Sequence, residues 1–162
     1  MNLQEIAPIV QDAIKQSLKE KRYRFGYGQK QGLSDKIASG KLYNSVQVIP
    51  KKVGEDDYTL QVLMEDYSQW VQSGRLPGKK GVPISAIEQW IKDRKLQGRD
   101  KKGRYIKRKS FAFAIQANIK KFGIRPSNFL DVALENIMQD NRIIELLENS
   151  TFEDLIDTIE GI

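Results

Sequence analysis

The residues most able to do chemistry in this chain are cations. Between Gln97 and Lys109 stand Arg99, Lys101, Lys102, Arg104, Lys107, Arg108 and Lys109, with Asp100 alone opposing them. Clustered Lys and Arg displace counterions from a phosphate backbone, so one reading of this stretch is contact with nucleic acid. The competing readings are a solvated loop, or a loop that meets acidic surface on a neighbouring copy. Two other groups suggest sites only at first sight. Gly26-Tyr27-Gly28-Gln29-Lys30-Gln31-Gly32 has the glycines of a phosphate cradle, but no strand precedes it and no Gly-Lys-Ser/Thr follows, so it reads as a flexible loop. Glu55-Asp56-Asp57 places three carboxylates together, a run that reads as a solvated hairpin tip rather than a cation site.

What the chain lacks narrows the chemistry further. It has no cysteine and no histidine. Disulfides, thiol nucleophiles and the usual zinc ligand sets are therefore excluded, together with the side chain that most often serves as general acid or base. Carboxylate-based metal or glycosidase chemistry remains open, but no pair of acidic residues with a nearby lysine stands at a convincing strand end. No catalytic, cofactor-binding or metal-binding residue is assigned.

The elements that hold the basic stretch must come from 162 residues, a length that suits one domain. Charge is distributed unevenly along it. Residues 75–109 carry thirteen Lys/Arg against three Asp/Glu, whereas residues 110–162 carry four against nine. A chain positive in one part and negative in another can bind itself head to tail, which favours the neighbouring-copy reading. The first apolar residues (Leu3, Ile6, Ile9, Val10) are interspersed with polar ones, and no run approaches the roughly 20 apolar residues of a membrane-spanning helix. The expectation is a protein made in, and at first kept in, the cytoplasm, with no membrane partner.

Periodicity predicts an amphipathic helix over 2–21, with Leu3, Ile6, Val10, Ala13, Ile14 and Leu18 in one stripe and Pro8 marking either a kink or the true start. Alternation predicts strands over 42–49 and 58–64. A short helix follows at 66–73. Ser85-Ala86-Ile87-Glu88 reads as a capping box opening a helix that ends near Leu96 or Gly98. Residues 97–109 read as a mobile loop or hairpin arm, able to project on the order of 20 Å. Helices are expected at 110–122, with Gly123 as its cap, and at 128–147. Ser150-Thr151-Phe152-Glu153 is a second capping box, opening a short acidic helix with Phe152, Leu155, Ile156 and Ile159 on its apolar side. The fold class is α+β, with a small antiparallel sheet covered by the helices near 2–21, 84–96, 110–122 and 128–147. The domain spans 1–147, with 148–162 as an acidic helical extension. Tyr67, Trp70 and Trp90 read as core rather than as a platform for a ligand.

Three segments in this order resemble a known family. Ser39-Gly40-Lys41-Leu42-Tyr43-Asn44-Ser45-Val46 is similar to the lead-in to the first strand of tailed-bacteriophage neck and tail-completion proteins. Tyr67-Ser68-Gln69-Trp70-Val71-Gln72-Ser73-Gly74 resembles the helix that follows their sheet. Ile124-Arg125-Pro126-Ser127-Asn128-Phe129-Leu130-Asp131-Val132-Ala133-Leu134 resembles the start of their last long helix. The likeness spans 39–134, and the N-terminal helix matches their long first helix. The chain departs from the family at Gly74-Arg75, where Gly-Thr is usual. Residues 78–110 and the acidic stretch after 140 have no counterpart there. The resemblance implies a non-enzymatic virion subunit in the neck, without a cofactor. It would repeat six- or twelve-fold as a homo-oligomeric ring between portal or adaptor and tail proteins. On that basis residues 97–109 are expected to be ordered at an interface between subunits or with a partner protein, with the packaged DNA as their secondary partner.

Overall fold

The computed structural model describes residues 3–25, 32–54, 58–146 and 148. The fold is α+β, and its longest element is α1 (Leu3–Lys19). Ile6, Ile9, Ile14 and Leu18 are buried along one face of α1, and the helix continues through Pro8, which lies on the exposed side. Lys19 in the last turn suits the negative end of the helix dipole. Just beyond, β1 (Tyr23–Phe25) pairs antiparallel with β2 (Gly32–Ser34), strands that alternation does not reveal because each has only three residues. Gly26 to Gln31, between them, lie outside the described residues, as do Glu55-Asp56-Asp57 and the helix expected from Ser150.

The first expected strand begins later than its alternation suggests. Residues 41–45 form a helical turn, α2 (Lys41–Ser45), and the strand β3 is Gln47–Lys52. Leu42 and Val46 are 4% and 0% exposed, a four-residue spacing that strand and helix both place on one side, and here the helical turn buries both against the core. Gly40 starts the turn with φ 81°, and the Asn44 amide donates to its carbonyl at 2.9 Å. β3 pairs with β4 (Tyr58–Leu63) from Gln47 opposite Leu63 to Lys52 opposite Tyr58. Pro50 is tolerated because in a two-stranded sheet each strand has a free edge. One face, carrying Val48 and Leu60, packs on α1. Val62, opposite Val48, shares that face but is 38% exposed, and the other face leaves Ile49 and Leu63 exposed.

After β4 come α3 (Ser68–Ser73), α4 (Ile84–Asp93), α5 (Arg108–Phe122), α6 (Phe129–Met138) and a further helical stretch at 141–146. α6 lies along α1 with opposite sense: Phe129 and Ala133 join Ile14 and Leu18 in the main core, while Ile137 and Ile143 join Ile6 and Ile9 at the other end. The helix expected over 128–147 is interrupted at Gln139-Asp140, because Asp140 caps a new turn by accepting from the Arg142 amide.

α4 and α5 do not cover the sheet. They pack on each other around Ile87, Ile91 and Ala112, with Phe111, Ile115 and Ile119 at the margin. α5 therefore buries only Ala112 completely and leaves Phe113 half exposed. The capping box at Ser85 is not used. Pro83, with φ −53°, is already the cap, and its carbonyl accepts from the Ala86 and Ile87 amides, so Ser85 falls inside the helix.

The helical pair is fastened to the main body at two places. Arg75 and Ile124 exchange both backbone hydrogen bonds, at 2.8 and 2.7 Å, each next to a glycine of positive φ (Gly74, 69°; Gly123, 75°). Gly123 also caps α5, as expected, by donating to the Ile119 carbonyl at 2.8 Å. Arg94 spans to the strand β2 side, with Nη1 2.8 Å from Asp35 Oδ1 and Nη2 donating to the Asp35 carbonyl at 3.0 Å. Among the described residues no helix is long and apolar enough to cross a membrane.

Candidate functional site: a basic hairpin and an aromatic groove

The seven cations of residues 97–109 fall into two structural groups. Arg99, Lys101, Lys102 and Arg104 stand on a tight hairpin closed by an antiparallel bridge between Arg99 and Tyr105. Asp100 organises its tip. Its carboxylate accepts from the Lys102 amide at 2.8 Å, the Arg104 amide at 2.9 Å and Arg104 Nε at 2.9 Å. These bonds, the Arg104 amide first among them, hold the Asp100 carboxyl below its ordinary range. Arg99 lies 4.1 Å above the Tyr105 ring and donates to its hydroxyl and to the Gly103 carbonyl.

The hairpin alternative read for 97–109 is therefore the one formed, shorter than thirteen residues would allow because Arg108 and Lys109 belong to α5. At its base Gly98 is buried so closely against Phe111 that a Cβ there would meet the ring at 2.5 Å, and the Ile106 amide donates to the Gly98 carbonyl. Periodicity missed this because only two small contacts, Gly98 and Ile106, anchor the loop. Lys107 is the cap residue of α5, with Arg108 and Lys109 in its first turn. Three cations at the positive end of a helix dipole repel it. Among the described residues, the side chains of Lys101, Lys102, Lys107, Arg108 and Lys109 make no ion pair. All seven cations are exposed.

A second feature was misjudged from the sequence. Tyr67, Trp70 and Trp90 are not core: they are 39%, 58% and 42% exposed. They edge a groove of about 600 Å³ between the main body and the α4–α5 pair. Its floor is apolar, formed by Leu42, Val71, Ile87, Ile115 and Ile119. Its rim carries Arg24, Lys36, Lys41, Arg94 and Arg125, of which Arg94 pairs with Asp35 at 2.8 Å and Lys41 with Glu65 at 3.3 Å. Burial lowers the Lys36 pKa, and the positive charge of Arg94 adds to the effect. Arg94 Nε is buried with no hydrogen-bond partner.

The three segments that carry the family resemblance converge on this groove. Gly40 to Tyr43, then Tyr67, Trp70 and Val71, then Ile124 and Arg125 all line it. The signal available in the sequence was the spacing of Tyr67, Trp70 and Val71 on a helix too short to bury three bulky side chains. Among the described residues no group of three or more Asp or Glu side chains is placed to hold a metal ion.

Compared with protein-family profiles, curated protein sequences and solved structures, the chain finds no match in any of the three.

Proposed function

We propose that this protein is a structural, non-enzymatic subunit of a phage virion, part of the neck that joins portal to tail, and that it works as a homo-oligomeric ring of six or twelve copies. The observation that carries the reading is the number of large apolar side chains turned outward on separate faces. Leu76 and Met138 are 70% and 71% exposed, and Leu134, Trp70 and Phe113 are all at least half exposed. Leu134 and Met138 stand one turn apart on α6 and make a contiguous exposed apolar patch, the kind of surface that marks contact with a partner. Contacts on several faces suit a head-to-tail arrangement, which closes into a ring when the rotation allows. The unpaired cations on the hairpin and at the start of α5 supply a second attachment point for an acidic partner surface. The three segments similar to neck proteins support the particular place in the virion.

The test uses particles produced with the gene intact and with Arg99, Lys101, Lys102, Arg104, Lys107, Arg108 and Lys109 changed together to serine. Purified virions are expected to contain the protein at a fixed copy number, and the serine variant is expected to yield tailless or DNA-leaking particles. Protein found free in the lysate and absent from particles overturns the reading. If that free protein binds DNA at micromolar concentration with a steep salt dependence, a basic nucleic-acid-binding module replaces it.

A further inference from the structure

Two helices of this fold each keep an exposed face that combines apolar side chains with charge of a single sign, and the two signs are opposite. On α5, Lys109, Phe113 and Ala117 follow one another at four-residue steps and Lys120 comes three residues later, so the four share one side of the helix, and all are exposed. The other side of α5, through Ala112 and Ile115, packs on α4. On α6, Asp131, Leu134, Glu135 and Met138 form the exposed stripe, while Phe129, Ala133 and Ile137 are turned to α1.

Neither face has its counter-charge nearby in sequence. There is no Asp or Glu from residue 101 to 130 and no Lys or Arg from residue 126 to 141. Among the described residues Lys109, Lys120, Asp131 and Glu135 make no ion pair, and the Asp131 carboxylate accepts from Gln72 Nε2 at 3.0 Å. We infer that the α5 face of one copy packs on the α6 face of the next, with Phe113 between Leu134 and Met138 and the lysines beside Asp131 and Glu135. Ala117 carries no bulk beyond Cβ, which lets the second helix come close beside the Phe113 ring.

The partner that fits is a second copy because both halves of the contact are present on every chain and both stay exposed once the chain is folded. Pairing α5 with α5, or α6 with α6, would bring like charges together. That opposes a symmetric dimer and favours a heterologous contact, which adds copies head to tail until a ring closes. Burial of Phe113, Leu134 and Met138 supplies the hold, and the charges at the exposed margin decide which faces meet. The inference rests on the assembly proposed above for the presence of neighbouring copies, and it names the contact between them.

The chain has no cysteine, so engineered pairs report this contact. Full-length Ala117→Cys is mixed with full-length Leu134→Cys and treated with a short bismaleimide. The control mixture pairs Ala117→Cys with Lys51→Cys, an exposed position on β3. Expected is a covalent dimer at several times the yield of the control mixture and of either variant alone. Adding Phe113→Asp to the Ala117→Cys chain lowers that yield about tenfold or more. Adding Lys109→Glu and Lys120→Glu to it lowers the yield severalfold, and Glu135→Lys in the other chain restores part of the loss. Each variant is compared with the wild type by circular dichroism, and Phe113 and the lysines, being exposed, are expected to leave the fold intact. Equal yield in test and control mixtures overturns the inference, as does a variant that cross-links with itself as well as the mixture does. It is overturned too by a yield indifferent to Phe113→Asp, or by a charge reversal that Glu135→Lys does not relieve. Particle content decides the other question separately: cross-linking by a protein absent from virions sinks the neck reading alone, whereas virion rings without the cross-link sink only this contact.

Discussion

Replacing Gly74 or Gly123 by alanine is expected to be among the most damaging small changes available to this protein. Gly74 has φ 69° and ψ −153°, and Gly123 has φ 75° and ψ −162°, a region occupied almost only by glycine. Occupying it with alanine costs about 1–3 kcal/mol. The added Cβ at Gly74 would stand 2.3 Å from the Ile124 carbonyl oxygen and 2.6 Å from Pro126 N. At Gly123 it would stand 2.2 Å from the Arg75 carbonyl oxygen. These neighbours are backbone atoms and cannot rotate away, so the two strands of the clasp must separate and weaken two hydrogen bonds of about 1 kcal/mol each. The total is roughly 3–5 kcal/mol, or a fall in Tm on the order of 10 °C for a chain of this length. Gly78 and Gly103 provide the controls. They too have positive φ, 76° and 80°, but a Cβ at either meets nothing within 4 Å, so alanine there costs only about 1–2 kcal/mol. Urea titrations followed by circular dichroism measure all four. Because the two clasp positions oppose each other, the double variant is expected to lose less than the sum of the singles. The reasoning is refuted if Gly74→Ala and Gly123→Ala cost no more than Gly78→Ala and Gly103→Ala.

Two further outcomes concern charge. The folded-state pKa of Lys36 lies below 10.5, so between that lowered value and 10.5 the unfolded chain binds more protons and stability gains with rising pH. Unfolding free energies from pH 8 to 10 should therefore rise more steeply for the wild type than for Lys36→Met, by a few tenths of a kcal/mol once the solvated part of the ammonium is discounted; parallel curves would contradict this. The Asp100 carboxylate has a depressed pKa, so the order it imposes on the hairpin is fully present above the ordinary carboxylate value and is lost as pH falls through the lower folded value. Asp100→Ala should accelerate amide exchange at Lys102 and Arg104 while leaving Tm unchanged, and unchanged exchange at those two amides would show that the hairpin is held by other contacts.

Much of the architecture was legible because it follows from local periodicity. The stripe of α1, the pairing of 58–63 with a preceding strand and the glycine cap of α5 each depend on residues within a few positions of one another. Local patterns failed where two cues coincided. Leu42 and Val46 satisfy alternation and helical spacing equally, and burial of both against the core decided for the turn. Ser85 offered a capping box, but Pro83, two residues earlier, had the fixed φ that starts the helix.

The site was legible only in its ingredients. The sequence by itself determined that cations concentrate in 75–109 and carboxylates beyond 110, that histidine and cysteine chemistry is excluded, and that the chain forms an α+β domain with amphipathic helices. These are properties of composition and spacing, which no fold can alter. Only the tertiary structure decided between the loop and the hairpin read for the basic stretch, and fastened the hairpin by Gly98 against Phe111. It alone also decided that Tyr67, Trp70 and Trp90 face solvent across a groove. The reason is that α4 and α5 satisfy each other's apolar faces, leaving the helical pair attached by a backbone clasp and one ion pair instead of by burial against the sheet. Whether an apolar face is covered depends on which partner reaches it first, and that is set by contacts between residues about 50 positions apart in sequence, beyond the range of any local pattern.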